Sequence, residues 1–197
     1  INEGLSGTAM PAFPLLPARE KEALVAYLKT FRNEKDVPGQ PVAVPKDPWG
    51  GGSAAAVEEG QKTYHQLVKC WMCHPTYATG KELSAWAGKP EGPPPPLRPN
   101  PYDSLAKESE WGSDIRAPDF LFDRIKTGTE VASLVRVIGA GIGGTAMPAW
   151  ASSLTPEQLW GLAYYVKSLA LNRATPEATA MRAKLIAQYV PPPPEED

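Results

Sequence analysis

Apolar residues recur at helical spacing in several windows of the chain. Residues 130–141, E-V-A-S-L-V-R-V-I-G-A-G, carry them three and four apart, and the spacing predicts a helix that Gly139 or Gly141 stops. Thr155-Pro156-Glu157 supplies a cap, a proline for the first turn and an acid, so a helix is expected from there to about Leu171. Trp160, Tyr164 and Tyr165 read as packing residues on it. Thr175-Pro176-Glu177 starts another helix that ends before Pro191. Ser53 is an N-cap for a helix running through Glu58 and Glu59 toward residue 70. A short helix is expected over 117–128, with Pro118 near its start.

Between these windows the pattern breaks. Pro38-Gly-Gln-Pro41 and Trp49-Gly-Gly-Gly52 read as linker. Pro93–Pro96 and Pro191–Pro194 read as extended polyproline-like surface segments. The chain has 197 residues, 42% of them hydrophobic, which suits one or two small domains with a packed core. Its formal net charge of −2 excludes the basic face of a nucleic-acid binder. No apolar run approaches the roughly 20 residues of a membrane span.

The candidate chemistry is concentrated at residues 70–74, C-W-M-C-H, which hold both cysteines of the chain. A redox dithiol needs a C-x-x-C beside a strand-rich pattern, and these surroundings read as helical. A zinc site needs about four ligands, and the chain offers two cysteines and two histidines with no second ligand pair downstream. C-x-x-C-H is also the signature of covalent haem attachment. There the two thiols add to the haem vinyl groups, and the adjacent histidine binds iron. One turn of chain carries Cys70, Cys73 and His74 to one porphyrin face, and this is the favoured reading. His65 sits too close to the attachment site to reach the far face of the iron and reads as a surface or packing residue.

A haem iron with one histidine takes a second protein ligand or keeps an open site. Of the four methionines, Met72 lies inside the attachment loop and Met181 in a helix-like tail. Met147 lies in G-I-G-G-T-A-M-P-A-W, where glycines allow close backbone approach and Pro148 holds an extended loop. It follows His74 by 73 residues, far enough to return over the opposite face.

C-W-M-C-H, then G-T-A-M-P-A-W, then L-W-G-L-A-Y-Y-V-K-S-L together resemble a class I cytochrome c domain of the bacterial periplasmic kind, over roughly residues 54–170. The resemblance implies an all-α fold with N- and C-terminal helices crossing near the haem. It implies haem c as cofactor, thioethers at Cys70 and Cys73, and axial ligands His74 and Met147. A long proline-rich insert from Tyr77 to about Arg116 departs from the smallest family members.

The opening residues repeat the later loop. Residues 1–12 read I-N-E-G-L-S-G-T-A-M-P-A and residues 138–149 read I-G-A-G-I-G-G-T-A-M-P-A. Downstream, L-V-A-Y-L-K-T-F at 24–31 mirrors L-A-Y-Y-V-K-S-L at 162–169 after a one-residue shift. The division expected is therefore 1–33 as the C-terminal part of a second cytochrome c-like domain, 34–53 as linker, 54–171 as the haem domain and 172–197 as a helical tail with a Pro-rich acidic end. Met10 then looks like the ligand of a second haem whose attachment site lies outside this sequence. A longer di-haem chain is the expectation. A second chain supplying the missing part, and a vestigial unit without haem, are the alternatives.

The resemblance implies electron transfer, with redox proteins as partners, including a membrane-bound oxidoreductase complex, and a setting in the bacterial periplasm or on the periplasmic face of the membrane. The implied histidine and methionine ligands leave no free site for substrate turnover at iron, and the near-balanced charge argues against a nucleic-acid partner. The proline-rich insert is a candidate docking element. The rival class is a haem enzyme or a gas or peroxide sensor with a labile sixth ligand.

Overall fold

The computed structural model describes residues 1–4, 10–31, 41–86, 88 and 97–189. The proline clusters at 93–96 and 191–194, residues 34–40 of the linker and Gly7–Ala9 of the repeat lie outside the described residues.

The fold is mostly helical: α1 (Ala18–Lys29), α2 (Ala54–Lys62), α3 (Gly80–Trp86), α4 (Val131–Ala140), α5 (Pro156–Leu171) and α6 (Pro176–Ala187). A two-stranded antiparallel hairpin, β1 (Ala106–Glu108) and β2 (Asp114–Arg116), pairs Ala106 with Arg116 and Glu108 with Asp114. It lies inside the insert, where the sequence reading placed only loop.

The helix starts follow the capping signals. Ser53 Oγ accepts from Ala56 N at 3.1 Å, and Thr155 and Gln158 form a reciprocal capping box on α5. Thr175 caps α6. α4 is ended by Gly141, whose φ of +69° is costly for any side chain, while Gly139 stays inside the helix and is buried. Pro118 does not start a helix over 117–128. Phe122 N and Asp123 N both reach back to Asp119 O, making a single turn. The Asp119 carboxylate and the Pro118 carbonyl are drawn into tertiary bonds instead of a helical ladder.

The core sits where α2 crosses α5. Gly60 and Gly161 meet backbone to backbone, and a Cβ on Gly60 would lie 2.0 Å from Gly161 O. Tyr64, Leu162 and Val166 pack beside the crossing, and α4 adds Leu134 and Val135. Residues 41–53 are fastened along α5. Trp160 Nε1 donates to Pro45 O and Trp49 Nε1 to Glu157 O, each at 3.0 Å, and Tyr164 OH donates to Asp47 at 2.6 Å. Among the described residues no helix is long and apolar enough to cross a membrane.

Candidate haem site

α2 does not run straight into the cysteines. It relaxes into a wider π turn over Thr63–Leu67, and Lys69 then takes a left-handed conformation with φ 50°. Residues Cys70–Met72 follow as a tight turn, with Cys73 N and His74 N both donating to Cys70 O at 3.1 and 2.9 Å. This compact winding gathers Cys70, Cys73 and His74, as their spacing predicts. Both thiols are free. Burial pushes the Cys70 thiol up to about 12, so it is held neutral.

His74 is fixed from two sides. Its ring stacks on Phe120 with centroids 4.7 Å apart and 22° between planes, and Nδ1 lies 2.9 Å from Pro118 O. A carbonyl only accepts, so Nδ1 carries the proton and Nε2 keeps its lone pair for a metal. Burial depresses the pKa of the ring, which favours the same neutral form.

The Pro118–Asp119 turn is anchored in turn. Asp119 accepts from Tyr77 OH at 3.1 Å and from Leu121 N at 3.1 Å, and pairs with Arg182 of α6 at 2.7 Å. Tyr77 OH also accepts from Phe120 N at 2.8 Å.

The insert braces the attachment turn. Arg98 donates to the carbonyls of Trp71 and His74 at 3.0 and 3.3 Å and also bonds the carbonyls of Asn100 and Asp103. Leu105 N donates to Cys73 O at 2.8 Å, and Thr76 N to Pro101 O at 2.7 Å. No motif marked Arg98, because its partners are backbone carbonyls of distant residues.

Met147 is half-buried and packs on the same core as Cys70. Its loop is closed by Ile142 N donating to Met147 O at 3.2 Å and by Met147 N donating to Thr145 Oγ1 at 3.2 Å. Gly141 permits the close return: a Cβ there would stand 2.7 Å from Met147 O. Gly144 lies under the Trp111 indole, where a Cβ would be 2.2 Å from the ring. Trp111 sits between β1 and β2, so the hairpin covers this loop.

The other candidates fall elsewhere. Met72 is 55% exposed, and Met181 packs against the core. Met10 is 37% exposed, in the N-terminal loop. His65 is a packing residue, not a surface one: it is buried, its Nδ1 donates to Gln61 O at 2.8 Å, and its Nε2 accepts from Tyr77 N at 3.3 Å. Both ring nitrogens are used within the protein, and burial lowers its pKa from 6.5 to about 4.

A pH dependence follows from this histidine. Between pH 6.5 and about 4 the unfolded chain binds a proton at His65 that the folded chain refuses. Stability therefore falls as pH drops through that window, by about 3 kcal/mol in full. Unfolding midpoints of the haem-loaded protein, measured between pH 7 and pH 4, are expected to fall more steeply than those of His65→Gln. Parallel curves would refute the assignment.

The donor set fits a covalently held haem: two free thiols and an imidazole tied through Nδ1 on one turn, with a methionine loop on the same core. Among the described residues no group of three or more His, Cys, Asp and Glu side chains is arranged to hold a metal ion directly.

A chain of the Kuenenia stuttgartiensis reducing HAO-like protein complex has the same fold, with a TM-score of 0.64 at 24% sequence identity over 86% of this chain and 68% of that one. Residues 55–197 make up less than three-quarters of the sequence, so this likeness reaches into the N-terminal residues as well. No curated protein matches the chain. The family model described as Cytochrome C oxidase, cbb3-type, subunit III matches residues 55–166, more than half of the sequence, and the chain belongs to that family of c-type cytochromes.

Proposed function

We propose that the chain relays electrons through a haem c bound by Cys70 and Cys73, with His74 and Met147 as axial ligands, in a periplasmic or membrane-associated respiratory redox complex. Family membership carries the coarser statement, covalent haem and electron transfer. The ligand pair, the setting and the absence of substrate turnover are the added steps.

The observation that carries the ligand assignment is the His74 Nδ1 bond to Pro118 O at 2.9 Å. It turns the imidazole into a fixed, neutral Nε2 donor at the end of the attachment turn. The haem supplies one-electron exchange at iron. The protein's part is to hold His74 on Phe120, to keep the attachment turn closed through Arg98, and to hold the Met147 loop on the core. Met147, if it held the iron opposite His74, would leave no place there for a substrate and would raise the reduction potential. The resembled chain comes from a protein complex, which supports reading this one as a subunit that meets other redox proteins.

Carbon monoxide tests the ligand. Added to the reduced protein at neutral pH, it is expected to leave the spectrum of the parent nearly unchanged and to shift that of Met147→Ala within mixing time. A parent that binds carbon monoxide as fast as the variant has an open iron, and the enzyme or sensor reading then takes over.

A further inference from the structure

The family match ends at residue 166, and α6 lies beyond it. This tail helix is nevertheless tied to the candidate haem site. Arg182 of α6 donates through Nη2 to the Asp119 carboxylate at 2.7 Å and through Nη1 to Tyr102 O. The helix is brought there by Ala174 N, which donates to Leu121 O at 2.8 Å. After α6, the Tyr189 ring meets Tyr102 edge-on with centroids 5.8 Å apart.

Asp119 joins the two residues that hold His74. Pro118 offers its carbonyl to Nδ1, and Phe120 stacks on the ring. The carboxylate itself is held by Tyr77 OH and Leu121 N, and Tyr77 OH also accepts from Phe120 N. The Asp119 charge is thus carried by the segment that grips the imidazole. It is also largely out of water, since the Asp119 and Arg182 side chains are each 13% exposed. Charges in such surroundings are felt farther than exposed ones, because solvent and salt screen them poorly.

We infer that Arg182 is a positioning residue for electron transfer that acts through Asp119: its guanidinium cancels the carboxylate beside His74 and keeps the reduction potential of the haem from falling. This inference rests on the reading of His74 as an axial ligand. Passing one electron to a redox partner leaves one more positive charge at the iron. A carboxylate near the imidazole favours that state and lowers the potential, and a guanidinium there does the reverse. Paired, the two nearly cancel at the ring. With the guanidinium gone, the field of the carboxylate stands uncompensated. A residue of the tail helix therefore tunes the iron without touching either proposed ligand.

The test measures the reduction potential of the haem-loaded protein by spectroelectrochemical titration at neutral pH. The proteins are the parent, Arg182→Gln, Arg182→Lys, Asp119→Asn and the double variant Arg182→Gln with Asp119→Asn. At a fixed ambient potential the ferric-to-ferrous ratio is expected to rise by roughly three- to tenfold in Arg182→Gln and to fall by a similar factor in Asp119→Asn. Arg182→Lys keeps the charge and the double variant removes both charges, so each is expected near the parent. Mere loosening of the site would move both single variants the same way and would not cancel in the double variant. The shifts are expected to persist at about 1 M salt, where the Debye length is about 3 Å. Single variants that leave the potential unmoved, that shift it in one common direction, or whose shifts vanish at high salt overturn the inference. Histidine ligation is read separately, from paramagnetically shifted ring signals of the ferric protein with labelled histidine. Those signals with unmoved potentials leave the ligand reading standing, and their absence from the parent overturns both.

Discussion

Asp119→Ala is expected to destabilise the haem-loaded protein by about 3–5 kcal/mol, the range for removing one partner of a buried ion pair. The side chains of Asp119 and Arg182 are each 13% exposed, so solvent replaces little of the lost attraction. The variant strands the Arg182 guanidinium, packed over the Phe122 ring at 5.3 Å, without its carboxylate. Tyr77 OH and Leu121 N lose their acceptor as well. The damage reaches the site, because Asp119 directly follows the residue whose carbonyl holds His74. Denaturant unfolding followed by haem absorbance measures the loss. Asp119→Asn keeps acceptors for Tyr77 and Leu121 and is expected to lose less. A loss below about 1 kcal/mol in Asp119→Ala would mean that the pair contributes as little as an exposed one.

Gly60→Ala is the second large effect. In a free helix this change gains up to about 1 kcal/mol from backbone entropy. Here the new methyl would lie 2.0 Å from Gly161 O and 2.4 Å from Gly161 C, atoms of a helix backbone that cannot swing aside. Overpacking of this kind costs typically about 1–3 kcal/mol, and contact with backbone instead of a flexible side chain puts Gly60 at the upper end. Gly161→Ala meets Gly60 N at 3.0 Å and Ala56 O at 3.1 Å, a milder clash. Thermal unfolding is therefore expected to rank the parent above Gly161→Ala and Gly161→Ala above Gly60→Ala. A Gly60→Ala protein as stable as the parent would show that α2 and α5 do not cross where the structure has them.

What the sequence revealed, and what it hid, divides by the range of the interactions. The starts of α5 and α6 were readable because a cap, a proline and an acid act within one turn. The attachment turn was readable because covalent haem chemistry needs its residues at fixed spacing. The cost of a side chain at Gly141 is equally local. Residues 117–128 read wrongly because their helical spacing competes with tertiary claims on Pro118 O and on Asp119, made by His74 and by Arg182. Arg98 was invisible because its acceptors are carbonyls, which every residue has. The hairpin at 106–116 has strands of three residues each, too short for a periodic signal.

The indole over Gly144 sets an order of events. The methionine loop sits beneath Trp111, and Glu110 N donates to Gly144 O at 3.2 Å, so hairpin and loop are held to each other. For the loop to leave the core, the hairpin must lift first or travel with it. On the proposed ligation by Met147, release of that side chain is then limited by the clock of the hairpin, a segment distant in sequence from both His74 and Met147. Insertions between residues 108 and 114 would retune that clock while leaving the ligands themselves untouched.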